Sequence, residues 1–477
     1  MIADDVAAGK KAGPFDEKPF AFFSCSPIGC VPKHGTDAIR CIHHLSFPRG
    51  GDSINGSTVE ETHELGSFDR ATEFIKQLGP GCWLIKLDVK AAYKIVPVDP
   101  RDWPLLGFKW EGKWYYERVL PFGLKSSCRL WEMYATALQH IFERAAGIKC
   151  IVHYVDDFLF VVETCEQGKV DLEKALVLAE RLGVPFAPDK QVGPATKLTF
   201  LGIEVDTISM TARLDDSRLE RLQLLLKNWV GKTHATIAEL HSLEGVLQWC
   251  TKVVRPGRSF LSRIREWRKE CSRRGEGPHQ LTSQCAADIS WWRCFIAQWN
   301  GVSLLYDEHW NDSEKLEIFT DACESGWGAR FGDRWIKGKW TSEQWNRASN
   351  PTQVDLLTGE KRRSMPFLEL LAVVLACSSF GHLWAGKKIR FRVDCAPVVV
   401  NVNKRSSPAD RAQGPLRHMS TLAAQHGFDF DCLWIKGVTN IAADALSRDN
   451  MTDFLKEVPT ADSQMSAIVP LPDFDRM

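Results

Sequence analysis

Two groups of carboxylates in this sequence have the type and spacing to do chemistry. In the first, Asp156 and Asp157 are adjacent, between the apolar runs IVHY and FLFVVE, and Asp88 closes a third apolar run, WLIKLD. An Asp-Asp pair also suits the turn of an ordinary hairpin. Neighbouring carboxylates in an apolar setting repel one another, however, and that cost falls when cations bind them. Three carboxylates at strand ends could hold two Mg²⁺ ions, which prefer few carboxylates, several waters and substrate phosphates. Two such ions can activate a hydroxyl and stabilise the leaving oxygen of an in-line phosphoryl displacement. The second group is spread more widely. Asp321 ends the run IFTD, Glu369 opens MPFLELLAVVLA, Asp394 ends IRFRVD and Asp444 lies in TNIAADALSR. Taken singly, Asp321 and Asp394 read as strand-end turn residues, Glu369 as a helix-start charge meeting the dipole, and Asp444 as a surface helix residue.

The elements that must position these residues are legible in outline. From Arg40 to about Val205, apolar strand-like runs alternate with helical stretches, an α+β pattern. Residues 216–270 change character: SRLERLQLLLKNWV and TIAELHSLEGVLQWC carry apolar residues at helical spacing, each opened by a Ser or Thr cap. A fresh α/β pattern begins near Leu316, with strand, turn, strand and strand, then a helix over 366–385. A strand over 389–394, helical stretches over 395–426, a strand over 428–435 and a last helix near 440–447 follow. Residues 1–35 read as arm and loop.

Composition bounds the remaining possibilities. The chain has 477 residues, 44% hydrophobic and 25% charged, so a disordered chain, a collagen and a coiled-coil rod are excluded. Lys+Arg and Asp+Glu are both 60, so a nucleic-acid partner would have to be held by local basic patches. The clearest patch runs from Lys252 to Arg274, with nine Lys/Arg against two Glu. Fifteen cysteines without regular spacing fit reduced thiols and an intracellular location, cytoplasmic or nuclear. The apolar stretch Phe367–Trp384 reads as a buried helix, with no membrane partner, and the Asn-Gly-Ser sequon at Asn55 then carries no meaning. The run Gly381–Lys387 approaches a phosphate-binding loop but ends a helix and continues with Lys388. Cys25, Cys30, His34, Cys41, His43 and His44 match no zinc-site spacing.

Several motifs carry a family resemblance. Tyr154-Val-Asp-Asp157 resembles the YxDD box of reverse transcriptases, and Asp88-Val-Lys-Ala-Ala-Tyr93 their first palm motif. LPFGLKSSCRLW (120–131), FAPDKQV and LTFLGIEV (186–205) and VPKHGTDAIRCIHHLSF (31–47) are similar to further blocks, in family order over about 175 residues. The resemblance implies that Asp88, Asp156 and Asp157 ligate metal and that Lys33 and Arg40 grip an incoming triphosphate. Tyr93 would select deoxynucleotides, Phe122 and Gly123 would shape the template and nucleotide pocket, and Lys190 would protonate the leaving pyrophosphate. Asp321, Glu369, Asp394 and Asp444, in this order of strands and helices, resemble the carboxylate set of ribonuclease H, with Asn440 also typical. Trp434 departs from that family, many members of which carry a His there, and the segment 341–366 is longer than in compact relatives.

The fold expected from this resemblance is α+β: a right-hand polymerase of fingers, palm and thumb, then a connector and an α/β RNase H-like domain. Fingers and palm are assigned to 1–210, a thumb-like helical region to 211–275, a linker or connector to 276–313, the RNase H-like domain to 314–448 and a flexible tail to 449–477. The resemblance implies two Mg²⁺ (or Mn²⁺) ions per active site, dNTP substrates, and an RNA template, a DNA primer and an RNA–DNA hybrid as partners. It also points to a retrotransposon of DIRS type, or one similar to Ty3/gypsy elements, and to other parts of a polyprotein. The rival readings are a non-catalytic nucleic-acid-binding scaffold that kept the fold, and an enzyme with one active half.

Overall fold

A computed structural model describes residues 1–32, 39–59, 65–298, 303–304, 316–354, 361–385, 387–407, 409–472 and 474. The chain divides into two compact units, one of Met1–Ala212 with Leu304–Tyr306, the other of Arg213–Ser303 with Asp307–Met477.

The first unit is centred on a four-stranded antiparallel sheet in the order Ile151–Tyr154, Asp157–Val162, Trp83–Asp88 and Val192–Ala195. The Asp88 strand and the Asp157 strand pair from Trp83↔Val162 to Asp88↔Asp157. Their inward residues Ile85, Leu87, Phe158 and Phe160 share a core with Trp131, Phe142 and Ala175 from the covering helices. Two of these helices begin where the sequence supplies a cap: Ser67 accepts from Arg70 N and Thr164 from Gln167 N. Within the segment read as arm and loop, residues 1–32 hold more secondary structure than their Gly, Pro and Lys content suggests. Lys11–Phe15 is a strand paired with Lys113–Glu117, and a helix spans Ile2–Ala7. Pro14 is tolerated on this sheet edge, and the strand is held by a buried Lys11–Glu117 ion pair. A composition-based reading does not see a partner that lies a hundred residues away.

The second unit is built on a five-stranded sheet in the order Arg334–Gly338, Trp327–Phe331, Glu317–Ala322, Lys388–Val393 and Asp429–Trp434. The first three strands are antiparallel and the last two join in parallel. The helix Met365–Phe380 is apolar enough to resemble a membrane span, yet every residue from Phe367 to Phe380 is buried. It is the central core helix, sharing a cluster with Ile318, Ile336, Phe391 and Met419.

Residues 213–298, set out above as thumb and connector, lie in the same compact unit as this sheet. They include the helices Asp216–Lys227, Ile237–Cys250, Ser262–Arg274 and Ser283–Gln298. A buried polar seam ties them to the helix Asp410–His426: Arg417 reaches Asp288 (3.1 Å) and Ser259 O (3.2 Å), and Ser259 Oγ meets Ser420 Oγ at 2.7 Å. The seam also takes up charge from the basic stretch. Arg255 pairs with Asp429 and Arg263 with Asp288; Arg265 and Arg268 share Glu244, and Arg273 and Arg274 share Glu270. Counting charges along the chain overstated what this stretch can offer to phosphates. The tail after 449, expected to be flexible, forms a helix over Met451–Glu457. Phe454 is fully buried against Trp335, and Trp335 Nε1 donates to Asp462 O (2.9 Å).

Candidate active sites

The first carboxylate group comes together at one end of the four-stranded sheet. Asp88 and Asp157 face each other across the ladder, and Asp156 sits in the two-residue turn between Tyr154 and Asp157. That turn puts Val155 at φ 56°, a left-handed conformation a β-branched residue rarely adopts. Two bonds hold it there: Trp131 Nε1 donates to Val155 O (2.8 Å) and Val89 N to Asp156 O (2.9 Å). Burial, then the charges of Asp157 and Asp88, push the Asp156 carboxyl up to about 6. Burial also raises Asp157, against the opposing pull of Lys86, whose Nζ is 3.1 Å from Asp157 Oδ1.

Lys190 meets Asp88 with both carboxylate oxygens, at 2.8 and 2.9 Å. Burial lowers its pKa, but the hydrogen bond to Asp88 and the charges of Asp88, Asp156 and Asp157 outweigh this and leave it above its ordinary value. In this arrangement Lys190 is a counter-ion for the Asp88 carboxylate.

A cavity of about 550 Å³ opens over these groups, lined by Asp88, Asp156, Lys190, Arg40, Tyr93 and Phe122 among others. The Phe122 ring is the hub of its far wall. The Arg40 guanidinium lies 4.5 Å above it and the Tyr93 ring 5.1 Å away. Burial, with the neighbouring Cys128, raises the Tyr93 hydroxyl pKa, so this side chain stays neutral. Gly123 is required here by close approach: at φ 109°, a Cβ on it would lie 2.0 Å from His43 O. Lys33 lies outside the described residues.

Two residues of this site were missed or dismissed in the sequence. Asn55 carries no meaning as a glycosylation sequon, yet its side chain clamps the Phe122 loop. It donates to Gly123 O and Ser46 Oγ and accepts from Lys125 N, each at 2.8 Å. Lys86 was passed over, although a lysine inside an apolar strand, two residues before Asp88 and hence on its face, was a visible signal.

The second carboxylate group is tighter. One oxygen each from Asp321, Glu369 and Asp394 lie within 4.8 Å of one another, the only such cluster among the described residues. Asp321 and Asp394 come from the ends of neighbouring parallel strands, and Glu369 from the first turn and a half of the central helix. Asp444 lies on the helix Ile441–Ser447, where Arg448 Nε meets its Oδ1 at 2.8 Å. Burial, with Asp321 and Asp394 adding their charges, pushes Glu369 up to about 9. Burial pushes Asp321 to about 6, with Ser447 opposing and Asp394 and Asp444 assisting. Asp394 is raised by burial too. Buried Glu369 Oε2 has no hydrogen-bond partner among the described residues. Two buried carboxylates and a half-buried third, with an orphaned oxygen and no ion-paired lysine among the described residues, are a donor set for hard divalent cations.

The neighbours of this cluster are positioned in detail. Buried Asn440 donates to Thr320 O (2.9 Å), fixing the strand end beside Asp321. Ser447, not singled out in the sequence, donates to Asp321 Oδ2 at 2.6 Å. Trp434 Nε1 donates to Asp394 O (3.0 Å).

Comparison with known proteins agrees with this geometry. Residues 34–205 match the family described as reverse transcriptase (RNA-dependent DNA polymerase). The chain is 24% identical over 423 residues to the enzymatic polyprotein of carnation etched ring virus, covering 84% of this chain and 56% of that polyprotein. It is 27% identical over 187 residues to the Gag-Pro-Pol polyprotein of simian retrovirus SRV-2, covering 35% and 10%. This chain therefore spans about half the length of the first relative and a tenth of the second. Among solved structures, the foamy viral protease–reverse transcriptase dRH in complex with double-stranded DNA superposes with a TM-score of 0.51. Sequence identity there is 15%, over 91% of this chain and 68% of that one. The fold is thus a mixed α+β polymerase fold followed by an RNase H-like domain.

Proposed function

We propose that this chain is an RNA-directed DNA polymerase joined to a ribonuclease H, copying RNA into DNA and degrading the RNA of the resulting hybrid. The observation that carries the reading is the floor of the 550 Å³ cavity: Asp88, Asp156 and Lys190 beneath Arg40, Tyr93 and Phe122, inside the segment that matches the reverse transcriptase family. The second cluster, in a sheet of RNase H-like topology, supports the nuclease half.

Asp88, Asp156 and Asp157 would hold two Mg²⁺ or Mn²⁺ ions in one site, and Asp321, Glu369, Asp394 and Asp444 two in the other. When bound, the ions neutralise the carboxylates and supply the charge stabilisation of phosphoryl displacement. The protein's own groups do the rest. Arg40, its guanidinium 4.5 Å from the Phe122 ring centre, offers a planar fork of donors to a triphosphate. Tyr93, packed on the same ring, presents bulk where a nucleotide sugar enters and so favours dNTPs. Lys190 keeps Asp88 in place before the substrate arrives. At the nuclease site, Ser447 and Asn440 fix Asp321 and its strand.

The source assigned to the chain is a retroelement polyprotein of DIRS or Ty3/gypsy type, acting inside the cell. That finer reading rests on Phe122, where many retroviral enzymes carry Gln and retrotransposon enzymes often carry Phe, on the resemblance of DISWWRCFIAQWNG (288–301) to the connector of DIRS-type elements, and, for the location, on the fifteen free cysteines. The test is primer extension on a primed RNA template with dNTPs or rNTPs and Mg²⁺, comparing wild type with the double variant Asp156→Asn, Asp157→Asn. Extension with dNTPs that disappears in the variant is the expected result. Hybrid binding by folded wild-type protein without any extension would instead favour the scaffold reading.

A further inference from the structure

Trp434 stands where many ribonucleases H carry a histidine. An indole cannot shuttle protons; it donates one hydrogen bond and offers a large apolar face. Both properties are used in this structure. The Nε1–H is committed to Asp394 O at 3.0 Å, which fixes the ring beside the carboxylate cluster, while the side chain remains 49% exposed. The loop that follows closes on the same carboxylate: Ile435 N donates to Val393 O (3.0 Å), and a Cβ on Gly437 would lie 2.9 Å from Asp394 Oδ2. In the loop after the indole, Val438 is 79% exposed and Lys436 is exposed as well. A half-exposed indole tied to the residue that carries a clustered carboxylate is a large apolar face left in solvent beside charge.

We infer that Trp434 is a stacking platform for one unstacked nucleobase of the nucleic acid engaged at the Asp321–Glu369–Asp394 cluster. The inference rests on the nuclease reading of that cluster and adds a substrate feature to it. A strand whose phosphate sits beside Asp394 brings its neighbouring base to a ring attached to the same residue. The ring is already oriented, so little rotamer entropy is lost on contact. Lys436 adds attraction for the backbone. In a fully paired hybrid both faces of each base are covered by its neighbours, so the base that fits an exposed indole is one at a frayed or single-stranded end. The preferred ligand is therefore an RNA–DNA hybrid with a short single-stranded RNA overhang.

The test places 2-aminopurine, which loses fluorescence when stacked, at each overhang position in turn. The hybrid is saturated with full-length protein in Ca²⁺, and saturation is checked by anisotropy. Wild type should quench the probe at one position, Trp434→Ala should restore its fluorescence and Trp434→Phe should retain most of the quenching. Affinity for the overhang hybrid should fall about tenfold in Trp434→Ala, within the usual range for loss of one base–aromatic stack. An abasic nucleotide at the quenched position should produce the same loss and add nothing to that of Trp434→Ala. Equal fluorescence in wild type and Trp434→Ala would overturn the inference. So would Trp434→Phe behaving like Trp434→Ala, since the indole would then serve only to hold Asp394. Cleavage of a fully paired hybrid in Mg²⁺ tests the nuclease reading separately: its absence alongside Trp434-dependent quenching would sink that reading and leave the platform standing.

Discussion

The two acidic sites handle the same physical problem, carboxylates crowded out of water, in opposite ways. In the polymerase-like unit each outer carboxylate already has a cation, Lys190 on Asp88 and Lys86 on Asp157. In the nuclease-like unit none of the three clustered carboxylates has an ion pair among the described residues; Arg448 pairs with the more peripheral Asp444 and acts on Asp321 from a distance. Buried like charges shift their pKa values or bind cations, and the difference is visible in Glu369, held at about 9, against Asp156 at about 6. The lesson is that one site balances its carboxylates with lysines, whereas the other holds Glu369 protonated by burial and by its acidic neighbours, a proton that a divalent ion would displace.

The largest effect that tests this contrast is a separation of activities. Asp321→Asn should reduce hybrid cleavage by about a thousandfold or more, since such chemistry depends on the metal set, and leave primer extension within twofold. Gel assays of both activities on one preparation would check it, and joint loss of both would break the two-site account. Next in size is the buried seam. Asp288→Asn leaves Arg417, which is wholly buried, without its carboxylate. Breaking a buried pair by removing one partner costs about 3–5 kcal/mol. Denaturant unfolding should show that loss in the transition of the nuclease-like unit.

A third prediction turns on protonation. Burial, with Lys11 nearby, holds His43 in the first unit at about 4, and burial holds His418 in the second at about 4, both below the ordinary 6.5. The unfolded chain binds these protons first. The stability each neutral ring contributes is therefore complete above pH 6.5 and is lost as pH falls toward 4. The ceiling is about 3 kcal/mol per group. His418→Gln should flatten that part of the stability–pH curve, and an unchanged slope would contradict the assignment.

The smallest effect addresses the contrast itself. In EDTA near neutral pH, Glu369→Gln replaces a carboxyl that must take up a proton to stay buried and should raise the unfolding temperature by a few degrees, about 1 kcal/mol. Asp88→Asn strands Lys190 and should lower it or leave it unchanged. Scanning calorimetry of the two variants reads the sign directly, and equal shifts in both would remove the distinction between the sites.

Most of the element order was legible because periodicity reports which face is buried. The strand, helix and strand pattern from 316 to 447 matches Glu317–Ala322 through Ile441–Ser447 closely. Asp156 and Asp157 stood out because adjacent acids in apolar runs are costly unless cations bind them, whereas Asp321, Glu369, Asp394 and Asp444 were singled out only by the family resemblance. What the sequence hid were partners distant along the chain. The resemblance casts Lys190 as a proton donor to pyrophosphate, and only the fold shows that it also lies 2.8 Å from Asp88. The nine cations of 252–274 read as a phosphate track until Glu244, Asp288 and Asp429 claim several of them. Phe454 and the Lys11 strand were masked by polar, Pro- and Gly-rich surroundings.

The most direct measurement uses one reaction: an RNA template labelled on the RNA, annealed to a DNA primer carrying a second label, with dNTPs and Mg²⁺. The account predicts that wild type lengthens the primer and shortens the RNA. The Asp156→Asn, Asp157→Asn double variant should still shorten the RNA within the primed hybrid, and Asp321→Asn should still lengthen the primer. Wild-type protein that binds the primed template yet changes neither strand would contradict the account.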